Sequence, residues 1–514
     1  MKNKLACMVI TFVLCGLALG GCGDGGPDWP QDNSLVVILE SAPINLDPRV
    51  GTDQSSARVW ELISNGLVGK DSQGTLFPDL AESWEVLDEG TRYRFYLRQG
   101  VVFHDGTSFD AEDVVWTYRT MLEGKVTSSK VAALEPIDRI EAVDPYTVDF
   151  YLVRPHGPLL ADLTSYMAIV PKGKSSPAMN RQPIGTGAFQ FASRTADRVE
   201  LVPFDQAFEG RPHFERLVLK EVADATVRVL ELRRGSAQIV VNGLPPDSVI
   251  GFRGNPHYRV DVTPGSNYQY IGFNLEDPLL SKAAVRRAIA HAIDRDQLID
   301  SLWQGLATVT DSMMPDGHWA RAELVANPYD PELSLDLLEQ AGFPDPDGDG
   351  PQPRLSITYK TSTSESGRLQ AEILQQMLSA VGIELEIRSF EFATFLQDVQ
   401  QGNFQMYSLR WTGVLDPHLY YLTLHSASVP PGGANRGRFR NPRFDQLIEQ
   451  GAQAFSPQDR RPFYLEAQQI LNRELPYISL FHTQTVAVRA AGIEGYVGYP
   501  SAELYSLKTA RWAE

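Results

Sequence analysis

The sequence predicts an α/β fold with mixed sheets, and three observations carry that expectation. Strand-like runs alternate with amphipathic helical runs along most of the chain. One strand–helix–strand stretch has links short enough to imply a parallel pair with a right-handed crossover, whereas other strands alternate apolar and polar residues, as one-sided antiparallel strands do. Finally, 514 residues with 43% apolar and 21% charged content suffice for large cores and about three domains.

In chain order, Lys2 and Lys4 precede the apolar run "LACMVITFVLCGLALGG" (residues 5–21). A charged start, a short apolar stretch and small residues at its end make a secretory signal, too short for a comfortable membrane span. Leu19-Gly20-Gly21-Cys22 resembles a bacterial lipobox. That resemblance implies removal of residues 1–21, diacylation of the Cys22 sulfur and a lipid anchor in the membrane. All three cysteines (Cys7, Cys15, Cys22) fall in these first 22 residues, so the exported body has no thiol to oxidise and no disulfide framework. "GDGGPDWPQDN" (residues 23–33) reads as flexible tether, which makes residues 22–33 an acylated cysteine plus leash.

The body begins with "SLVVILE" (residues 34–40), a continuous β-branched run suited to a buried strand. In "RYRFYLR" (residues 92–98), Tyr93, Phe95 and Leu97 face one way while Arg94, Tyr96 and Arg98 face the other. "HDGTSF" (residues 104–109) is a glycine-containing turn. Asp110 then stands where a helix N-cap belongs, with Asp113 three residues on as a capping-box partner. Glu112 and Asp113 occupy a first turn where the helix dipole favours negative charge. His104 has no second histidine at metal-ligand spacing, so this acidic stretch reads as a turn entering a helix rather than a catalytic or metal constellation. "TVDFYL" (residues 147–152) repeats the strand period through Val148, Phe150 and Leu152.

Further on, "SKAAVRRAIAHAIDRDQLI" (residues 281–299) reads as one amphipathic helix with Val285, Ala288, Ile289 and Ala292 on its apolar face. "RLSITYK" (residues 354–360) puts Leu355, Ile357 and Tyr359 on one strand face. The helix "GRLQAEILQQMLSAVG" (residues 367–382) follows, with a stripe of Leu369, Ile373, Leu374, Met377, Leu378 and Val381 and with Gly382 as its stop. "IELEI" (residues 383–387) alternates again and completes the βαβ unit. Between these, "DPDGDG" (residues 345–350) mimics the start of a calcium loop. Its twelfth position is Ser356 rather than Glu, which leaves a solvated acidic turn.

Composition excludes some functions. A net charge of −18 opposes general binding to nucleic acid or anionic lipid. The chain lacks G-x-S-x-G and H-E-x-x-H, and its body has no nucleophilic cysteine, so neither catalysis nor a cofactor is expected.

"FHDGTSFDAEDVVWTY" (residues 103–118) resembles the signature of the family 5 extracellular solute-binding proteins, the peptide-, opine- and nickel-binding components of bacterial ABC importers. "INLDP" (residues 44–48), "NGLVGKDSQGTLFPDLAESWEV" (residues 65–86), "PIGTGAFQF" (residues 183–191), "YIGFNLEDPLLSKAAVRRAIAHAIDR" (residues 270–295), "FRNPRFDQLI" (residues 439–448) and "ELPYISLF" (residues 474–481) match in order and spacing. The resemblance implies a two-lobed, periplasmic-binding-protein-like fold of class II with an extra subdomain. Lobe I is discontinuous (residues 34–55, 185–265 and 475–514), subdomain II spans residues 56–184 and lobe III residues 266–474. It also implies a monomer that closes on a peptide or related small solute and hands it to an ABC permease. Nickel-chelate or opine binding, or ligand presentation to a sensor, are the alternatives.

Within that frame the binding candidates gather in "LRWTGVLDPHLYY" (residues 409–421): Arg410, Trp411, Thr412, Gly413 and Asp416. In the peptide-binding branch, an aspartate three residues after the tryptophan holds the ligand's amino group; here that position is Val414. Either Asp416 takes over or a free amino terminus is held in another way, and an Asp-Pro turn whose carboxylate bonds its own backbone favours the second. Glu40, Ser41 and Ala42 follow the first strand, Asn242 follows "AQIVV", Tyr268 and Tyr270 share a strand face, and Arg436 could meet an acidic ligand group. Each has a structural alternative: an ion pair, a turn, or core packing. Metal-chelate uptake has one motif in its favour, a Trp, four residues and Asp-Pro-His (Trp411 to His418), but no second histidine.

Overall fold

Two long strands, Tyr258–Phe273 and Tyr477–Ala490, run antiparallel through the centre of the molecule from the Tyr258/Ala490 pair to the Gly272/Tyr477 pair. A computed structural model describes residues 27–72, 74–348 and 350–513. Signal residues 1–21 and Cys22 lie outside them. On one side, Tyr477–Ala490 pairs with Ile239–Val241, and the sheet continues through Ser34–Leu39, Arg216–Glu221, Arg198–Pro203 and Phe189–Arg194. On the other, Tyr258–Phe273 pairs with Met406–Trp411, followed by Leu355–Ser362 and Ile383–Phe390. One mixed sheet thus passes through both lobes, and each end has its own core. Leu35, Val37, Trp60, Ile63 and Leu219 are fully or almost fully buried at the first end, and Ile271, Val285, Ile289, Ile357 and Leu374 at the second.

A separate four-stranded antiparallel sheet, in the order Ala81–Leu87, Arg92–Leu97, Thr147–Leu152, Ile137–Asp144, forms the subdomain. Its inner face carries Tyr93, Phe95, Val148 and Phe150, against which helix Ala111–Leu122 packs Val114 and Tyr118. On the outer face Asp149 is buried and held by Arg94 through two 2.7 Å bonds. The arginines on that face are therefore fixed partners rather than a loose charged surface.

The acidic stretch is a turn and a cap. Asp110 accepts from Glu112 N at 2.8 Å, and Asp113 accepts from Asp110 N at 2.9 Å and from Lys172 N at 2.7 Å. The His104 Nδ1 accepts from Gly185 N at 3.2 Å, so the ring proton sits on Nε2, which donates to Gly187 O at 3.0 Å. Burial takes this imidazole down to about 4, and the neutral ring staples the turn to the loop at residues 185–187.

The βαβ unit forms as its pattern implies: Leu355 pairs with Ile383 in parallel, and helix Glu365–Ser379 crosses between them. Leu374, Met377, Leu378 and Val381 are buried, but Leu369 is 42% exposed. Residues 281–299 make two helices, not one. Ala283–Ala292 stops at Ile293, and Asp294 starts Arg295–Trp303 by accepting from Gln297 N at 3.0 Å. A helix pattern can run through a cap residue unnoticed when both halves bury the same face.

Residues 28–33, read as tether, are docked. Trp29 packs edge-on to Tyr258 at 5.8 Å and beside Trp512 at 6.2 Å, while Asp28 N donates to Arg234 O at 3.2 Å. An aromatic in a Gly/Pro/Asp run finds a partner where flexible-linker composition alone does not foresee one. In "DPDGDG", Asp345 accepts from Asp347 N at 3.2 Å and meets Arg354 at 3.6 Å, which is the employment of a surface turn; Asp349 lies outside the described residues.

The central pair breaks register twice, at Gln269/Tyr270 and, more widely, beyond Thr263. Thr263 opposes Thr485 and Asn267 opposes Thr483, so Pro264, Gly265 and Ser266 bulge out of register. A Cβ on Gly265 would stand 1.9 Å from Thr483 O, so only glycine lets the two backbones touch. Gly265→Ala is expected to lower global stability by about 2 kcal/mol or more in urea unfolding. An unchanged midpoint would mean that the bulge relaxes freely.

Candidate functional site

The bulge lies beside a cavity of about 580 Å³. Its walls come from helix Gln54–Ile63, from the subdomain around Pro158, Asp162 and Tyr166, from residues 412–422 and from residues 501–505. Ser266 ties two of these together. Its N donates to Pro500 O at 3.1 Å, and its carbonyl accepts from Val414 N at 2.9 Å.

Helix Gln54–Ile63 starts at Asp53, which accepts from Ser56 N at 2.8 Å. Its i, i+3, i+4, i+7 positions, Gln54, Ala57, Arg58 and Glu61, line the cavity while Val59, Leu62 and Ile63 enter the core. Arg58 donates to Val241 O at 3.1 Å, yet its buried Nε has no partner among the described residues, and neither has Trp60 Nε1. Glu61 accepts from Leu504 N at 2.7 Å. Burial, and then the nearby Glu503 carboxylate, push its carboxyl up to about 8 against the pull of Leu504 N–H and Arg58. Glu503 itself is paired with Lys70 at 2.7 Å.

On the facing wall, Arg460 grips Asp416 with two bonds of 2.8 and 2.7 Å, and His418 N donates to the same carboxylate at 2.7 Å. Burial works to raise this group, but the guanidinium outweighs it and holds the carboxyl at about 2. Asp162 differs: burial and then Asp416 push it up to about 8, with Arg460 opposing. His418 and His156 meet edge to face at 5.2 Å, and burial takes them to about 4 and about 3, so both are neutral at pH 7.

Of the residues singled out in the sequence, the structure brings Thr412, Gly413 and Asp416 into the cavity wall. Gly413 adopts φ +65°, and its N donates to Asn267 Oδ1 at 3.2 Å. Trp411 is set back. It lies parallel to Tyr270 at 6.4 Å, with the Arg436 guanidinium 4.9 Å over its ring. Tyr268 and Tyr270 do share a face, stacked at 5.7 Å, but they are 2% and 0% exposed; Tyr268 bonds Ser479 Oγ at 2.7 Å and Tyr270 takes a 3.4 Å contact from Arg436. Asn242 has φ +59° and locks onto Val486 in both directions, its Oδ1 accepting at 2.8 Å, as a turn residue does. Ser41 meets Ser55 at 3.2 Å beside a half-buried Ala42. Glu40 and Arg410 are exposed at the surface, although the Arg410 side chain is partly desolvated, an effect that the Glu40 charge opposes.

Sequence reading missed Arg58, Trp60, Glu61, Asp162 and Glu503. For Arg58 and Glu61 a signal existed: charged residues three apart in a helix otherwise fit for the core. Asp162 offers none, because a lone acid in "LLADL" looks like any surface residue.

The model of bacterial extracellular solute-binding proteins, family 5 Middle, matches residues 75–431. The dipeptide-binding protein of Escherichia coli is 26% identical over 91% of this chain and 93% of its own. Heme-binding protein A of Haemophilus influenzae is 26% identical over 91% of each chain. The structure of HbpA2 from Haemophilus parasuis superposes with a TM-score of 0.84 at 24% identity, covering 94% of this chain and all of that one.

Glu61 gives a pH signature. Its folded carboxyl is raised above the unfolded value, so the unfolded chain releases its proton first; stability is full below about pH 4 and declines until the folded group ionises near pH 8. Glu61→Gln is therefore expected to leave the thermal midpoint unchanged at pH 4 and to raise it by about 2 °C or more at pH 8.5. Equal shifts at both pH values would contradict the assignment.

Proposed function

The chain belongs to the bacterial extracellular solute-binding proteins of family 5, and on that premise we propose that it captures a short peptide in the 580 Å³ cleft and delivers it to an ABC permease. The observation that carries this reading is the origin of the walls. Both lobes and the subdomain contribute, and a sheet that crosses both lobes bulges at the cleft's edge. Contacts made to all of these at once stabilise the closed form over the open one. Peptides suit such a space because their buried amides and charged ends need fixed partners, and Arg58 and Trp60 hold unused donors there.

In this reading lobe I consists of residues 34–55, 185–265 and 475–514, subdomain II of residues 56–184 and lobe III of residues 266–474. The protein acts as a monomer and transforms nothing covalently. It stands outside the cytoplasm on a Cys22 lipid anchor after loss of residues 1–21. Among the described residues no helix is long and apolar enough to cross a membrane. One observation favours a second ligand class, a metal chelate: His418 lines the cleft with a buried Nδ1 that has no partner among the described residues.

Titration of the delipidated protein with di- and tripeptides is expected to give a Kd at or below about 1 µM, roughly −8 kcal/mol, together with a smaller radius of gyration in solution scattering. Compaction with a nickel–histidine chelate and none with peptides would transfer the assignment to the second class. Hydrolysis of the peptides would overturn both.

A further inference from the structure

Four carboxylates line the cleft: Glu61, Asp162, Asp416 and Glu503. Three of them have work to do. Asp416 is neutralised by Arg460, Glu503 by Lys70, and Glu61 accepts a backbone N–H within the field of Arg58. Asp162 has no hydrogen bond or ion pair among the described residues. Against those four acids stand Arg58 and Lys70 in the wall and Arg460 behind it, so the empty cleft has one carboxyl group, that of Asp162, with no cation to pair it. A half-buried carboxylate facing another acid, with no partner, is costly unless a cation joins it.

We propose that Asp162, at the end of the short helix Leu159–Asp162, fixes the ammonium group of the ligand, so that the subdomain and not the loop at residues 412–416 supplies the amine anchor. This rests on the peptide reading above and specifies its polarity. The loop itself cannot do the task. Val414 is fully buried with its side chain in the aromatic core, and Asp416 already accepts two guanidinium bonds and a backbone bond. The groups facing Asp162 are Asp416, Arg460 and His418 across the gap and Tyr118 and Tyr166 on its own side. His418 is neutral at pH 7, the tyrosines keep their protons, and Arg460, which opposes the rise of Asp162 from a distance, is committed to Asp416 by two bonds, so none of them pairs Asp162. Since Asp162 titrates near 8 when empty, docking an ammonium at pH 7 expels close to one proton.

The test is calorimetric titration of the mature protein with a panel of di- and tripeptides and their N-acetylated forms, run in two buffers of different ionisation enthalpy. For the wild type, free-amine peptides are expected to bind ~30-fold or more tighter than acetylated ones, with proton release. Asp162→Asn is expected to lose ~30-fold or more of affinity for free-amine peptides, to erase the preference over acetylated ones and to abolish proton release. Its thermal midpoint at pH 7 should be no lower than the wild type's, since the side chain holds no internal bond. Full free-amine affinity in Asp162→Asn would overturn this inference and leave the peptide reading intact. No binding of any panel member to the wild type would overturn both.

Discussion

The antiparallel pairing of Tyr258–Phe273 with Tyr477–Ala490 is the constraint on which the rest of the molecule depends. These two strands join the halves of the one sheet that both ends of the molecule share, so neither end can shift without bending a common ladder of backbone hydrogen bonds. The ladder runs in register from Tyr258 to Thr263, resumes at Asn267 and steps by one residue between Gln269 and Tyr270, so its widest break lies between Thr263 and Asn267. Between them the extra residues interrupt it, and a sheet bends most cheaply where its ladder is already broken. Ser266, inside that break, holds Pro500 on one side and Val414 on the other. A small rotation there moves two cleft walls together, which is the mechanical requirement for closing on a guest.

The cleft's electrostatics follow from the same architecture. Walls drawn from three separate cores meet at their polar edges, so charges from each are pressed into one partly dry space. Most are matched within a wall or across it: Asp416 with Arg460, Glu503 with Lys70. Such pairs fix geometry more than they add stability, since desolvation cancels much of their attraction. Glu61 and Asp162 remain unmatched and hold their protons up to about pH 8. A site that keeps unmatched groups is less stable than it could be, and a ligand completing them recovers part of that deficit on binding.

The architecture was largely legible in the sequence because period-2 and period-3.6 patterns report burial directly. The one-sided strand at Tyr93, Phe95 and Leu97, the βαβ unit and the Asp110–Asp113 cap follow from local chemistry. The site was legible only in part. Thr412, Gly413 and Asp416 were reachable because glycine and Asp-Pro mark a loop. Trp411, Tyr268 and Tyr270 were drawn in by their aromatic character, yet aromatics on a central strand are core by default, and here they stack on one another. Asp162 reaches the cleft only because two distant segments fold against each other, and no periodicity encodes that meeting.

Val414 shows why the loop has no room for a carboxylate at that position. Its N–H closes onto Ser266 and its side chain is fully buried in the core formed by Tyr268, Tyr407, Phe444 and Tyr464. A carboxylate in that place would have to be desolvated against four aromatic rings or pull the loop off the bulge. Filled with valine, the loop becomes a strap that fastens lobe III to the hinge, with Arg460 and Asp416 pinning its far end. A strap of this kind cannot also yield to a ligand's charged end. The group that does so must sit on another wall, and on the subdomain wall, which touches the strap through His156 against His418, Asp162 makes no ion pair among the described residues.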